Sequence, residues 1–464
     1  MSETTDRKPF RIRLQTMINE VREKIRDDTY PKDSYLPSES ALAKQFQLSN
    51  NSVRKGLAQL VEEGLIVKVD KVGSKVSGAK HFRKTTLNIV GYPMNNRDLD
   101  FTGIIKDFQA LYPSIQVTWN DHLPRGSFVL GQYVPNVVEY ICRATADLIL
   151  LDHLQFRQLI ESGHSDLLDE VEPAEETFSF LNEAFTVEGR MYVQPVIFSP
   201  VVLGYNREHF RQAGLQEPDS SWRWDDLVQA AVRLTVPNER NGFYFYRISE
   251  NRWPLLLLQS GIPFTAANDA EDKRDYLGTQ LLDSIRLYGK LTGNNSFFPN
   301  YMSESPHDTS RLFLEGKISM TLLTYSSMND LKHSNLDYDI SPVPFMHTPI
   351  SLLTIMGMIV NKNSQNKEAA QLFADFIRSR ETQEAIRKRT LSLPAMKPAA
   401  IMPVRDNFNR PIHDSLFREI IPSYRTTSDL NMPMSKFQPL LQVLKLYWSN
   451  LIDEPALCEQ LKQL

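Results

Sequence analysis

The side chains best suited to chemistry lie close together in residues 49–55. Asn50 and Asn51 carry amides, and Arg54 and Lys55 carry cations. An amide of this kind pairs best with N6 and N7 of adenine, whereas cations contact phosphates or guanine. This run of side chains therefore predicts a surface that binds duplex DNA.

The surrounding sequence predicts the elements that would present these side chains. Apolar residues at helical spacing in 9–27 indicate a first helix, and Ser38 and Ser49 each precede a further apolar-periodic run that a serine would cap. Gly64 ends the last of these runs, and alternation within 65–76 indicates a basic hairpin. Two helices around a tight turn, followed by such a hairpin, form a winged helix-turn-helix, whose second helix enters the major groove.

This domain is placed at residues 1–78, and the residues expected at its DNA surface are the capping serines, the start of the recognition helix and the hairpin. They are Ser38, Ser49, Asn50, Asn51, Ser52, Arg54, Lys55, Lys68, Lys71, Gly73, Ser74 and Lys75. Residues 1–84 contain 17 Lys and Arg against 11 Asp and Glu, a net charge of +6, whereas the rest of the chain carries −10. A basic head on an acidic body suits a phosphate-binding module joined to a domain that does not bind DNA.

The amino-acid sequence of residues 8–78 resembles the GntR family of bacterial repressors. The shared pattern comprises Leu36-Pro37-Ser38-Glu39, Leu42-Ala43, Phe46, Ser49, Ser52-Val53-Arg54-Lys55, Leu57, Leu60, Glu63-Gly64-Leu65-Ile66 and Gly73-Ser74. Three positions depart from it: Ser40 and Asn50 stand where the family has Arg, and Lys71 stands where it has a wing Gly. The operator sequence of the family is therefore not expected to carry over.

The rest of the 464-residue chain is too long to be part of the same domain. Residues 79–85 are basic and aperiodic, which predicts a linker, and from residue 86 strands and helices alternate as in α/β folds. Strands are predicted at 86–92, 115–119, 147–151, 318–323 and 354–360, and helices at 101–111, 154–162, 225–235, 278–291, 308–315 and 366–379.

The rest of the chain forms one predicted effector domain, 86–464, and roughly residues 86–460 of it resemble the type 1 extracellular solute-binding proteins of bacterial sugar importers. The resemblance is carried, in order, by Tyr112-Pro113-x-Ile115-x-Val117, Ala146-Asp147-Leu148, Gly189, Pro195, Tyr205-Asn206-Arg207, Ala213-Gly214-Leu215, Trp222-x-Trp224-Asp225-Asp226-Leu227, Phe313-x2-Gly316-Lys317-Ile318-x-Met320 and Asn366-Lys367-Glu368-Ala369-Ala370. It implies a periplasmic-binding-protein-like body of two α/β lobes, lobe one at about 86–198 and 348–392 and lobe two at about 200–345 and 396–464.

The same resemblance implies a ligand, a sugar or oligosaccharide, in the cleft between the lobes. The side chains expected to hold it follow strands or carry rings that can stack on a sugar. They are Met94, Asn95, Asp152, His153, Phe198, Trp253, Tyr325, Met356 and Gly357.

Catalytic signatures are absent from the sequence. There is no HExxH, GxSxG, Walker A or GxGxxG motif, so we expect no enzyme activity, no cofactor and no metal site. An alternative is that the GntR-type head is joined to a pyridoxal-phosphate aminotransferase-like body. That body would need a lysine in a Ser-x-x-Lys-like loop for the aldimine, and no such segment stands out.

The chain also shows no sign of export or of a membrane segment. Its first residues lack the apolar core of a signal peptide, and no run of 18 apolar residues occurs. Cys142 and Cys458 have no metal-ligand spacing, and Cys142 is expected to be packed in a helix. The sequence therefore predicts a cytoplasmic transcriptional regulator, a repressor, which binds operator DNA as a homodimer and changes its affinity when a small molecule binds the body.

Overall fold

The structure is a computed structural model that describes residues 10–26, 29–62, 65–69, 72–77, 85–123, 133–264 and 276–464. Lys71 and most of the predicted linker lie outside these residues. Cys142, the last residue of its helix, is exposed, so its predicted packing is wrong; Cys458 is buried. None of the described helices is both long and apolar enough to cross a membrane.

The head contains three helices and a two-stranded wing. Its elements are α1 (Phe10–Arg26), α2 (Glu39–Phe46), α3 (Asn50–Glu62), β1 (Ile66–Val69) and β2 (Gly73–Val76). Ile18 and Val21 of α1 pack with Val53 and Leu57 of α3 in one buried cluster. The helices approach closely at Gly56, where an added Cβ would lie 2.5 Å from Cε of Met17.

The body is built on one long mixed sheet with helices on both faces. Its strands are β3 (Thr85–Val90), β4 (Ile115–Asn120), β5 (Leu148–Asp152), β6 (Thr186–Val187), β7 (Arg190–Met191), β8 (Gln194–Asn206), β9 (Asn241–Phe243), β10 (Ile318–Thr324), β11 (Tyr338–Ser341), β12 (Ser351–Val360), β13 (Leu393–Pro394) and β14 (Tyr424–Arg425). The strand order along the main path is β4-β3-β5-β12-β8-β10-β9, with β6 and β7 forming a separate hairpin.

The helices of the body alternate with these strands. They are α4 (Met94–Leu99), α5 (Phe101–Leu111), α6 (Tyr133–Cys142), α7 (His153–Glu161), α8 (Ser179–Ala184), α9 (Arg207–Ala213), α10 (Trp224–Leu234), α11 (Trp253–Gln259), α12 (Gln280–Gly293), α13 (Pro306–Leu314), α14 (Lys367–Arg378), α15 (Arg380–Arg389), α16 (Lys397–Ile401), α17 (Leu416–Glu419), α18 (Met434–Trp448) and α19 (Glu454–Lys462). We call the part built on β3, β4 and β5 the first lobe and the part built on β9, β10 and β11 the second lobe.

Strand β8 is the structural link between the lobes. Its residues from Gln194 to Pro200 pair with β12, and those from Val201 to Tyr205 pair with β10. The strand thus changes partner next to the predicted lobe boundary at 198–200. The domain and lobe limits given above stay predictions.

Candidate ligand cleft and nucleic-acid interface

A cavity of about 290 Å³ lies between the two lobes. Met94 and Arg97, which follow β3, line it from the first lobe, and His307 and Asp330 line it from the second. Thr354 of β12 contributes from the strand that joins the sheet halves. A pocket at the end of strands, between two lobes, is a common place for a small ligand in α/β proteins.

An ion pair crosses this cleft. Nη1 of Arg97 lies 3.1 Å from Oδ2 of Asp330, Nε of Arg97 donates to Asp98 at 2.6 Å, and the Asp330 side chain is only 7% exposed. Burial alone would lower the pKa of Arg97, but the two carboxylates outweigh it and raise that pKa above its ordinary value. Nδ1 of His307 lies 3.7 Å from Asp330. The two lobes are thus joined by an ion pair within the site.

Hydroxyl groups form much of the remaining lining. Ser326 N donates to Oγ of Ser199 at 2.8 Å, and Thr354 Oγ1 donates to the carbonyl of Ser199 at 2.8 Å, so this part of the lining is fixed to β8. The hydroxyl of Thr309 on α13 is buried and has no hydrogen-bond partner among the described residues. A buried hydroxyl without a partner is costly unless something else, such as a ligand or water, satisfies it.

Of the predicted ligand residues, Met94 lines this cleft, and Asn95 and Met356 lie beside it. The side chain of Asn95 accepts from Tyr92 N at 2.5 Å, and its amide donates to Sδ of Met356 at 3.0 Å. These contacts fix the loop after β3 to β12, and Asn95 is not among the residues that line the cavity. Gly357 is packed, because a Cβ there would lie 2.8 Å from the Gln194 carbonyl oxygen.

Three predicted aromatic residues lie in the core. Phe198, Trp253 and Tyr325 are fully buried. Trp253 packs on Phe437 with ring centroids 4.8 Å apart, and the Tyr325 hydroxyl donates to the Asp414 carbonyl at 3.2 Å. Their rings fill the interior, and it is their chain neighbours that line the cleft: Asn251, Arg252, Thr324 and Ser326.

Asp152 and His153 lie at a different place, behind β12. Asp152 caps α7 by accepting from Gln155 N at 3.0 Å, and His153 lines a second cavity of about 590 Å³ together with Leu353. Since neighbouring residues of a strand point to opposite faces, Leu353 and Thr354 place the two cavities on opposite sides of the sheet. Burial lowers the pKa of His153 to about 3, with the charge of Arg157 adding to the effect.

The residues that the sequence reading missed are mainly the charged ones. Arg97 and Asp330 are 233 positions apart, and only the fold brings them together. Their positions in the sequence could have indicated them. Arg97 follows the end of β3 and Asp330 follows the end of β10 by a few residues, and pocket residues gather after strand ends.

In the head, the start of α3 is open to solvent. Asn50, Asn51, Arg54 and Lys55 are exposed, whereas Ser52 is buried. Arg54 Nε lies 2.6 Å from Oε2 of Glu39 on α2, so the guanidinium is held across the two helices. The serines Ser38 and Ser49 act as helix caps, accepting from the amides of Ala41 and Ser52 at 3.2 Å each.

The wing presents a row of side chains beside α3. Tyr35 and Val67 are both aligned with Lys75 of β2, and Lys75 lies 2.8 Å from the Asp33 carboxylate. That contact raises the pKa of Lys75 and lowers the pKa of Asp33. Lys68 is exposed, Ser74 is half-buried, and Gly73 has a φ of 142° that favours glycine.

A two-lobed α/β body with a cleft, joined to a winged helix-turn-helix head, defines a DNA-binding protein with a solute-binding module. Residues 96–384 match the family described as bacterial extracellular solute-binding protein, and residues 14–76 match the gntR family of bacterial regulatory proteins. The chain therefore belongs to the bacterial extracellular solute-binding protein family and carries a GntR domain in front of it. Its body is of the solute-binding type and not of the aminotransferase type.

Known relatives agree with this assignment. The chain is 22% identical over 355 residues to a putative binding protein of Brucella abortus (strain 2308), covering 71% of this chain and 82% of that protein. It is also 22% identical over 226 residues to the sn-glycerol-3-phosphate-binding periplasmic protein UgpB of Escherichia coli (strain K12), covering 46% and 50%.

Solved structures share the fold of the body. The substrate-binding protein Lmo0181 of Listeria monocytogenes, in complex with cycloalternan, superposes with a TM-score of 0.66 at 18% identity, covering 82% of this chain and 97% of that one. Maltose-bound MalE3 of T. maritima gives a TM-score of 0.67 at 15% identity, covering 82% and 98%. At these identities the likeness shows the fold alone.

Proposed function

We propose that this protein is a transcriptional repressor whose solute-binding body senses a small molecule and changes the affinity of the head for operator DNA. The observation that carries this proposal is the presence of a GntR domain and a two-lobed solute-binding body on one chain. The named relatives bind sugars or a polyol phosphate, which supports a ligand of that kind.

The cleft supplies the physical basis for sensing. A ligand that touches both lobes stabilises the arrangement in which they are close, by the difference between its affinities for the two arrangements. Arg97 and Asp330 already bring charged groups of both lobes into one cavity. A coupling of ~1–3 kcal/mol between ligand and DNA would give a 5–150-fold change in operator affinity.

The head supplies the operator contacts. We assign base contacts to Asn50 and Asn51 at the exposed start of α3, and phosphate contacts to Arg54, Lys55 and the wing. A homodimer would place two heads on a two-fold operator, as closed symmetry favours. Contact with chromosomal DNA also requires that the protein act in the cytoplasm.

Both matched families act by binding, and we propose that this chain carries out no catalysis. The direct experiment is to select a DNA ligand for the full chain from a randomised duplex pool and then to measure its affinity by fluorescence anisotropy. Titration with sugars that raise the melting temperature would follow. Selection of no preferred sequence would contradict the regulator assignment.

A further inference from the structure

We infer that the cleft takes a single uncharged, polyhydroxylated ligand of monosaccharide size, held by Arg97 of the first lobe and Asp330 of the second. This inference rests on the proposed sensing function and narrows the class of its effector. It sets this chain apart from relatives named for a phosphorylated polyol or for oligosaccharides. Three observations support it: the size of the cleft, its charge balance and its unsatisfied polar groups.

The first observation is size. The cavity of about 290 Å³ lies at the lower limit of the ~300–1,000 Å³ typical of ligand pockets. Among the described residues that line it, Tyr246 is the only Phe, Tyr or Trp. An oligosaccharide has several sugar rings that could each stack on an aromatic side chain, and this lining provides one aromatic ring. Hydroxyl side chains, in contrast, are abundant in the lining. The lining therefore suits one sugar ring.

The second observation is charge. The guanidiniums that line the cleft already have protein partners: Arg97 is paired with the carboxylates of Asp98 and Asp330. Arg252 donates to the carbonyl oxygens of Leu322 and Asn251 at 2.9 and 3.0 Å. An anionic ligand that took Nη1 of Arg97 away from Asp330 would leave a buried carboxylate without its partner, which is strongly unfavourable. The start of α13 offers no substitute, because a capping box already occupies it. The Ser305 side chain accepts from the Asp308 amide, and the Asp308 carboxylate accepts from the Ser305 amide at 3.3 Å.

The third observation is the set of polar groups that a polyol could satisfy. Nη2 of Arg97 has no hydrogen-bond partner among the described residues, nor does the buried hydroxyl of Thr309. A ligand hydroxyl can accept from Arg97 and donate to Asp330 at the same time, so it fits the ion pair without breaking it. Such a ligand would bridge the lobes through the pair, which is the contact that closure requires.

The test is isothermal titration calorimetry of the full chain with a panel of known compounds. The panel contains uncharged hexoses, pentoses and inositols, with maltotriose, glucose 6-phosphate and sn-glycerol 3-phosphate as competitors of the other classes. We expect the tightest binder to be an uncharged monosaccharide or inositol. Tighter binding of maltotriose or of either phosphate would overturn the inference, and so would silence of every uncharged monosaccharide and inositol.

A variant tests the role assigned to the ion pair. Asp330→Asn should lower the affinity for the monosaccharide by about tenfold or more, because a hydrogen bond to a charged group is lost. It should also shift preference toward glucose 6-phosphate, because Arg97 is then less neutralised, and a loss of packing alone would not cause this shift. Asp225→Asn, at an exposed site on α10, is the matched control and should change neither property.

Folding and function are separated by further measurements. Thermal melting checks that Asp330→Asn is folded, and Arg97→Lys, which keeps the charge but loses the planar fork, provides a second variant that should also weaken the sugar. Unchanged affinity and preference in both variants would overturn the assignment. Operator binding is measured separately, so a sugar that binds the cleft without affecting DNA contradicts the proposed function and leaves this inference standing.

Discussion

At the scale of single residues, the side chains that matter are those whose partners come from another element. Arg97 and Asp330 join the two lobes, and Arg54 and Glu39 join the two helices of the helix-turn-helix. Of these residues, only Arg54 was expected from the sequence, as part of the DNA surface, because the head follows a short, ordered motif. Its pairing with Glu39 was not predicted. Nor was the pairing of Arg97 with Asp330, since residues 233 positions apart in sequence give no local sign of it.

Base and phosphate contacts in the head are expected to respond differently to mutation. Asn51→Ala should weaken operator binding by ~1–3 kcal/mol, because the amide is expected to hydrogen-bond to a base edge. The affinity for non-specific DNA should stay the same. Lys68→Ala should weaken binding to operator and to non-specific DNA by the same factor, since it removes one phosphate contact. It should also reduce the slope of log K against log salt concentration by about one. Anisotropy titrations at several salt concentrations measure both. Equal behaviour of the two variants would contradict the assigned roles.

His153 should make stability depend on pH. Its pKa is lowered to about 3 in the folded state by burial, so the folded protein keeps it neutral while the unfolded chain protonates it below its ordinary value of 6.5. The contribution of neutral His153 to the free energy of unfolding is present above pH 6.5. It is lost as the pH falls toward 3, by about 1.4 kcal/mol per pH unit.

The control for this effect is His153→Gln, which does not titrate. The free energy of unfolding is measured in urea at pH 7.5 and at pH 5. Between these two pH values it should fall by about 2 kcal/mol more in the natural protein than in the variant. The same loss in both proteins would mean that other groups set the pH dependence.

At the scale of elements, regular amphipathic segments were predictable and the central link was not. Helix α5 has the bounds predicted for it, and α10 and α14 differ by one residue at each end. Strand β8 was missed, because Pro195 and Pro200 argue against a central strand. Both prolines are tolerated since Pro195 faces an irregularity opposite Gly357, and Pro200 lies where the strand changes partner.

That irregularity gives a prediction about Gly357 on β12. An added Cβ would lie 2.4 Å from Val193 and 2.8 Å from the Gln194 carbonyl oxygen, and backbone cannot yield as a flexible side chain can. Gly357→Ala should therefore cost ~1–3 kcal/mol in unfolding free energy, measured in urea. Gly293→Ala, at the end of α12 with no atom within 4 Å of the new Cβ, should be neutral or slightly stabilising. Equal stability of the two variants would contradict this packing.

At the scale of the whole molecule, the body places cavities on both sides of the linking sheet. Thr354 lines the front cleft and Leu353 lines the cavity behind it, so the predicted ligand residues were divided between two faces of β12. Sequence order could not separate them, because the side on which a loop meets the sheet depends on the packing of the whole lobe. Met94 and His153 both follow strand ends, yet they face different cavities.

The central claim is that ligand in the cleft changes how the head binds DNA. The most direct measurement is the Kd of the full chain for its selected operator, with and without a saturating sugar that binds the cleft, in the natural protein and in Asp330→Asn. We expect a 5–150-fold change in the natural protein and a much smaller one in the variant at the same sugar concentration. An operator Kd that is the same with and without bound sugar would contradict the account.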